Sequence, residues 1–267
     1  FSMLKTAVVN AGLAETLAGN GPFTVFAPDN DAFAAAGISS SDLESLSAEA
    51  LSDILLYHTL GSKVEAANVP AGPNTPVETV NGSSIYLTSN NMGVFVNGIM
   101  VKQANVEASN GVIHVISKLL MPPAGNIVET AQANENLSFL VAAVLRASEG
   151  DTNVAQVLSS DGPFTVFAPT NQAFVDAGFP DIASIQAADP NTLAAILTYH
   201  VIATRAFSSD LVNGANLTTL NGGTVEIGLG NTATIKGDSN TNPSNIIAVN
   251  IVATNGAVHL IDQVLLP

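Results

Sequence analysis

The chain has 267 residues, 47% apolar and 11% charged, so it holds ample mass for a large core and shows none of the high charge and low hydrophobicity of a disordered chain. Seven Lys plus Arg against 22 Asp plus Glu give a net charge of −15, which repels a phosphate backbone and excludes nucleic acid as a main partner. There is no cysteine for a disulfide, a thiolate nucleophile or a thiolate-ligated zinc, and no apolar run reaches the roughly 18 residues that a membrane-spanning helix needs.

Phe1 opens inside a helical pattern with no basic and apolar leader before it, so any leader is expected to have been removed. Phe23, Val25 and Ala27 then alternate with Thr24 and Phe26 as in a buried strand. Pro28 stops that strand, and Asp29 or Asn30 stands where it can cap a helix carrying Phe33. An anion at this helix N-terminus is the alternative reading, and Asp29 and Asp31 oppose it. Leu51, Ile54, Leu55 and His58 fall at i, i+3, i+4 and i+7, which predicts a short amphipathic helix. Two hairpins are expected next, Val77 to Leu87 around Asn81-Gly82 and Met100 to Ile116 around Asn110-Gly111, with Asn-Gly supplying the positive φ of a type I′ turn. Pro122-Pro123-Ala124-Gly125 cannot continue a helix and suits a short stiff linker.

The second half replays the first. The octamer GPFTVFAP at Gly21 to Pro28 recurs unchanged at Gly162 to Pro169, Tyr57-His58 recurs as Tyr199-His200, and NGVIHVISKLLMP from Asn110 recurs as NGAVHLIDQVLLP from Asn255. A period of about 140 residues is far longer than that of a solenoid and means two whole domains, 1–122 and 126–267, joined by residues 123–125. Helical patterns come first in each copy and hairpin patterns afterwards, the order of an α+β domain with a mainly antiparallel sheet. Phe1 to Leu4 aligns with Leu137 to Leu140, so the helical region Ile127 to Ala147 has no complete counterpart and the first domain is expected to lack about ten residues of its start. Gly150 to Val154 carries about five extra residues of loop chemistry in the second copy. The helix of Leu193, Ile196, Leu197 and His200 follows Asp189-Pro190, a good N-cap with proline at the first helical position.

All four histidines sit at repeated positions, His58 with His200 and His114 with His259, and no acid, nucleophile or cysteine repeats beside them. Structural histidines that find hydrogen-bond partners in the interior are expected, with partner binding by the Tyr-His pairs and metal ligation as the alternatives. The helical stripe makes His58 and His200 the buried members, with Tyr57 and Tyr199 turned about 100° away.

Other motifs fail on context. Gly228 to Ala233 fits G-x-G-x-x-A, but a strand pattern follows where a pyrophosphate-binding helix is needed, so a hairpin turn is expected. Asp238, Asn240 and Asn242 have the first spacings of a calcium loop, yet Pro243 replaces its glycine and Val249 its bidentate Glu. Asn81, Asn136 and Asn216 open formal glycosylation sequons. No cofactor and no bound metal are expected.

FTVFAPDNDAF at Phe23 to Phe33 and FTVFAPTNQAF at Phe164 to Phe174 resemble the first signature block of fasciclin-like (FAS1) domains. Tyr57-His58 and Tyr199-His200 resemble the family's central Tyr-His motif, and the two segments opening on Asn110 and Asn255 resemble its closing block. The resemblance implies two tandem domains, each a twisted β-wedge wrapped by short helices, on an exported or cell-surface protein with roles in adhesion or matrix interaction. It implies no enzymatic activity, and it carries adhesion proposals onto Tyr57, His58, Tyr199 and His200. The expected partner is a cell-surface or matrix protein or polysaccharide. An exported protein that binds a small molecule or glycan, in a pocket between helices and sheet or between the domains, is the alternative.

Overall fold

The computed structural model describes residues 1–267, which form two compact units, Phe1–Pro122 and Pro123–Pro267. In the first unit α1 (Ser2–Asn10) and α2 (Ala14–Leu17) lead into β1 (Phe23–Pro28), followed by α3 (Asn30–Ala35), α4 (Ser40–Ser45) and α5 (Ala48–Tyr57). The remainder is strand: β2 (Thr59–Leu60), β3 (Gly72–Glu78), β4 (Ser84–Asn90), β5 (Gly93–Val96), β6 (Ile99–Ala108) and β7 (Gly111–Ile116). The second unit opens with α6 (Ile127–Gln132), a 3-10 turn at Glu135–Leu137, α7 (Ser138–Ala147) and α8 (Val154–Leu158). Then come β8 (Phe164–Pro169), α9 (Asn171–Asp176), α10 (Ile182–Ala187), α11 (Pro190–Tyr199) and β9 (Val201–Ile202). It closes on β10 (Asn216–Thr218), β11 (Thr224–Leu229), β12 (Ala233–Gly237), β13 (Ser244–Ala253) and β14 (Gly256–Ile261).

Each unit holds one seven-stranded sheet, ordered β2-β1-β7-β6-β5-β4-β3 in the first and β9-β8-β14-β13-β12-β11-β10 in the second, the same topology twice. Every pairing is antiparallel except β1 with β7 and β8 with β14. The sheet separates two apolar cores. On the helical side of the first unit lie Ala7, Leu13, Phe33, Leu43, Leu51 and Leu55, while the wedge itself encloses Phe26, Tyr57, Leu60, Ile85, Leu87 and Ile116. Alternation along β1 serves both, because successive strand residues face opposite sides.

The predicted helix at Ile127 to Ala147 is two helices with a 3-10 turn between them, since Asn134 caps a fresh start by accepting from Asn136 N. The predicted strand-to-helix corner after Pro28 forms, with Asp29 as N-cap accepting from Ala32 N at 2.9 Å. Lys102 reaches the same carboxylate at 2.6 Å and holds it below the usual carboxylate range, so the helix N-terminus already has its negative charge.

Two turn assignments need correction. At Asn81-Gly82 only glycine has positive φ, within a five-residue loop where Asn81 Oδ1 accepts from Thr79 Oγ1 and Ser83 N. At Asn110-Gly111 neither residue is left-handed; Gly111 is there because a Cβ would strike the Phe23 carbonyl of the parallel neighbour strand. The type I′ geometry occurs instead at Asn97-Gly98, φ 48° and 72°, between the paired Val96 and Ile99.

Candidate functional site

Helix α5 is capped by Ser47, whose Oγ accepts from Ala50 N, and its stripe delivers Leu51 and Leu55 to the helical core. The helix stops at Tyr57, and His58 occupies the C-cap with φ −82° and ψ −1°. Its carbonyl accepts from Phe26 N at 2.9 Å, which docks the corner on β1. The His58 ring has Nδ1 2.8 Å from Ile54 O and Nε2 3.0 Å from Leu120 N. A carbonyl only accepts and an amide only donates, so Nδ1 carries the proton and Nε2 the lone pair, the neutral tautomer. Burial pushes the imidazole down from 6.5 to about 4, against the upward pull of the bond to Ile54. His58 thus ties α5 to the closing segment that follows β7.

Tyr57 is fully buried in the wedge core. Its hydroxyl donates to Ser84 O and accepts from Asn97 Nδ2, both at 3.1 Å. Asn97 in turn receives Tyr86 N on Oδ1 at 2.8 Å. The second corner repeats this plan. Tyr199 donates to Thr224 O and accepts Asp238 N at 2.9 Å, and burial raises its pKa. His200 places Nδ1 2.8 Å from Ile196 O and Nε2 2.9 Å from Leu265 N, and burial takes it to about 4. The expected histidine burial is therefore observed, but the expected contrast with tyrosine is not. Tyr57 and Tyr199 have 0% exposure because the rotation of about 100° turns them into a second core rather than into solvent.

His114 and His259 belong to a separate device. Nε2 donates to Val64 O in one and Ala206 O in the other, and Nδ1 accepts from Asn105 N and Asn250 N. Asn105 and Asn250 both adopt positive φ at register breaks in β6 and β13, which frees their amides for the rings. Burial lowers the pKa of His259. With all four rings bonded to backbone at both nitrogens, none has a lone pair or proton available for a metal or a substrate. No three His, Asp or Glu side chains converge on a common point.

The loop at Asp238 to Asn242 is committed too, since Asn240 donates to Val264 O and accepts from Leu266 N. Among the sequons Asn81 is engaged with Asp53, whereas Asn136 and Asn216 are exposed. Sequence reasoning missed Asn97, the Asn105–Asn250 pair and the second role of Asn110 and Asn255. The last two donate from Nδ2 to Leu17 O and Gly19 O, and to Leu158 O and Ser160 O. A signal for the pair was present, since each stands nine residues before its histidine in both copies.

This duplicated fold with its paired Tyr-His corners defines a tandem β-wedge protein. The sequence profile of the fasciclin domain matches residues 1–122 and 136–267, and the chain belongs to that family. It is 33% identical over 270 residues to human periostin, covering 96% of this chain and 29% of periostin. It is 31% identical over 265 residues to transforming growth factor-beta-induced protein ig-h3 of Sus scrofa, covering 96% of this chain and 36% of that protein. The chain thus spans about a third of the length of these relatives. A solved FAS1 domain pair from the insect cell adhesion molecule fasciclin I aligns over 100% of this chain and 96% of that one, at 19% identity and a TM-score of 0.47.

Proposed function

We propose that the chain is a non-enzymatic adhesion or matrix-interaction module of an exported or cell-surface protein, binding a surface protein or polysaccharide. Membership of the fasciclin-domain family, whose resemblance implies adhesion and matrix roles, supports this reading. The observation that carries the non-enzymatic part is the state of the histidines: each is buried, with both ring nitrogens spent on backbone partners. General acid-base chemistry needs a ring within reach of substrate with a proton or lone pair to exchange. The same burial makes Tyr57, His58, Tyr199 and His200 structural supports, with the partner touching other residues. Two domains on one chain add weak sites into avidity.

The test measures thermal unfolding and adhesion to protein-coated and polysaccharide-coated surfaces on the same His58→Ala and His200→Ala proteins. Each variant is expected to lose on the order of 1–3 kcal/mol through unpaired Ile54, Leu120, Ile196 or Leu265 groups, with adhesion falling only as far as folding does. Unchanged melting with abolished adhesion would make the motif a recognition site. Saturable binding of a small soluble glycan without surface adhesion would favour a ligand-binding protein instead.

A further inference from the structure

An Asn-Gly pair carries a chemistry of its own. Glycine has no Cβ to hinder its backbone nitrogen, which attacks the preceding Asn Cγ and expels ammonia where the nitrogen and the side chain are both free to turn. The chain has seven such pairs, and the fold holds six of them. Asn97 and Asn255 are buried and bonded through both Nδ2 and Oδ1. Asn81 and Asn221 are also bonded at both atoms, and Gly82 N and Gly222 N donate to Thr79 O and Thr219 O. Gly214 N donates to Ile227 O while Asn213 Oδ1 accepts from Leu229 N. Asn110 Nδ2 is held by Leu17 O and Gly19 O, and Gly111 lies in the ladder of β6 and β7.

Asn20-Gly21, in the turn before β1, is the exception. Asn20 is exposed, and neither its side chain nor Gly21 N forms a hydrogen bond within the protein. A polar hollow of about 570 Å³ beside the pair admits water. The fold fixes the glycine, because a Cβ at residue 21 would strike the Asn110 carbonyl. Gly162 is under the same constraint from Asn255, yet the second copy places Asp161 before it. Asp161 is exposed as well, with α6 in place, so the openness belongs to the turn itself.

We propose that Asn20 is a site of spontaneous deamidation, which ages the first domain ahead of the second. Gly21 N gives up its proton and bonds to Asn20 Cγ, the Cγ–Nδ2 bond breaks, and Nδ2 leaves as ammonia. Water then opens the succinimide, and nothing is oxidised or reduced. Cleavage of the new N–Cγ bond leaves aspartate at position 20, whereas cleavage of the original peptide bond leaves the chain running through Cγ as isoaspartate. The first product reproduces Asp161 and puts a carboxylate into a hollow that Lys63 also lines. The second inserts an extra carbon into the main chain just ahead of Phe23, whose N–H donates to Asn110 O at 3.0 Å where β1 begins. A carboxylate is a far poorer electrophile than an amide, so the turn at Asp161 is spared. The proposal stands independently of the adhesion reading.

The test incubates the full chain at neutral and at mildly alkaline pH and follows every Asn-Gly peptide by mass spectrometry, with an isoaspartate-specific methyltransferase marking the second product. Asn20 is expected to exchange NH for O roughly tenfold or more faster than any other Asn-Gly pair, because the held pairs react only through local opening. The rate should rise with pH, since Gly21 N must lose a proton. In denaturant the seven rates should converge. Amide exchange at Phe23 and Phe26, which donate to Asn110 O and His58 O, is expected to quicken in the aged chain. It should not quicken in Asn20→Asp, which has the charge without the altered linkage. Conversion of any other pair ahead of Asn20 in the folded chain would overturn the proposal. So would the same spread of rates in denaturant, or an Asn20 that converts in denaturant and not in the folded chain. Unchanged exchange at Phe23 and Phe26 in isoaspartate-containing chains would overturn the ageing of the domain.

Discussion

The two Tyr-His corners solve one problem with different atoms. In the first domain the tyrosine hydroxyl is met by a side chain, Asn97 Nδ2, which the type I′ turn holds at φ 48°. In the second the same hydroxyl is met by a main-chain amide, Asp238 N, at the start of a longer loop. The histidine contacts, in contrast, are repeated atom for atom: a carbonyl four residues back and an amide of the closing segment. What duplication keeps is the satisfaction of a buried polar group, and it keeps the identity of the donor only where the backbone geometry is shared. Leaving such a group unpaired costs about 1–3 kcal/mol, whichever atom used to pair it.

Removing the aromatic body is expected to have the largest effect. Tyr57→Ala and Tyr199→Ala should each cost about 3–5 kcal/mol, from an unfilled cavity in the wedge core and a lost pair of hydrogen bonds. Denaturant unfolding that shows one tyrosine tolerated and the other not would break the equivalence of the corners. Acid comes next. His58 and His200 titrate near 4 when folded against 6.5 when free, so the unfolded chain binds protons first as pH falls. Their stabilisation is complete above pH 6.5 and declines down to pH 4, by about 3 kcal/mol for each histidine over that window. His200→Gln should flatten the slope of the second domain's stability between pH 6.5 and 4, and an unchanged slope would place the acid sensitivity elsewhere. The smallest effect is the sharpest comparison. Asn97→Gly keeps the positive φ but removes the donor to Tyr57 and should cost about 1–2 kcal/mol, whereas Asp238→Ala keeps the amide and should stay within about 0.5 kcal/mol.

The duplication, the helix order, the strand at Phe23 and the corner after Pro28 were legible because each rests on a local pattern repeated in register. The turns were less so, since Asn-Gly serves three geometries here. At Asn97-Gly98 both residues are left-handed, at Asn81-Gly82 only glycine is, and at Asn110-Gly111 the glycine answers to the Phe23 strand beside it. Only the third dimension separates these cases. Tyrosine burial was hidden for a related reason. A helical stripe identifies the face toward one core, and it assigns every other face to solvent, but α5 and α11 end at a sheet with a core on each side. The bulge asparagines 105 and 250 carry no apolar periodicity, and beyond their repeat before each histidine nothing local marks them: their amides serve the histidine rings and their Oδ1 atoms accept from Ala66 N and Ser208 N, contacts that only the fold brings together.

The parallel pairing of β1 with β7, and of β8 with β14, means that each sheet is completed by the last strand its domain contributes. The contacts that seal it reach far along the chain, from Asn110 to Leu17 across 93 residues and from Asn255 to Leu158 across 97. During synthesis, therefore, β1 emerges with one edge bare and waits for nearly the whole domain to follow. Such non-local closure folds slowly. As translation proceeds from the N-terminus, the first wedge can close while the second is still being made, so two look-alike strands, FTVFAP and FTVFAP, do not compete for one partner. Identical central strands in tandem are a standing invitation to cross-pairing between neighbours, and the order of their birth is the safeguard this architecture has built in.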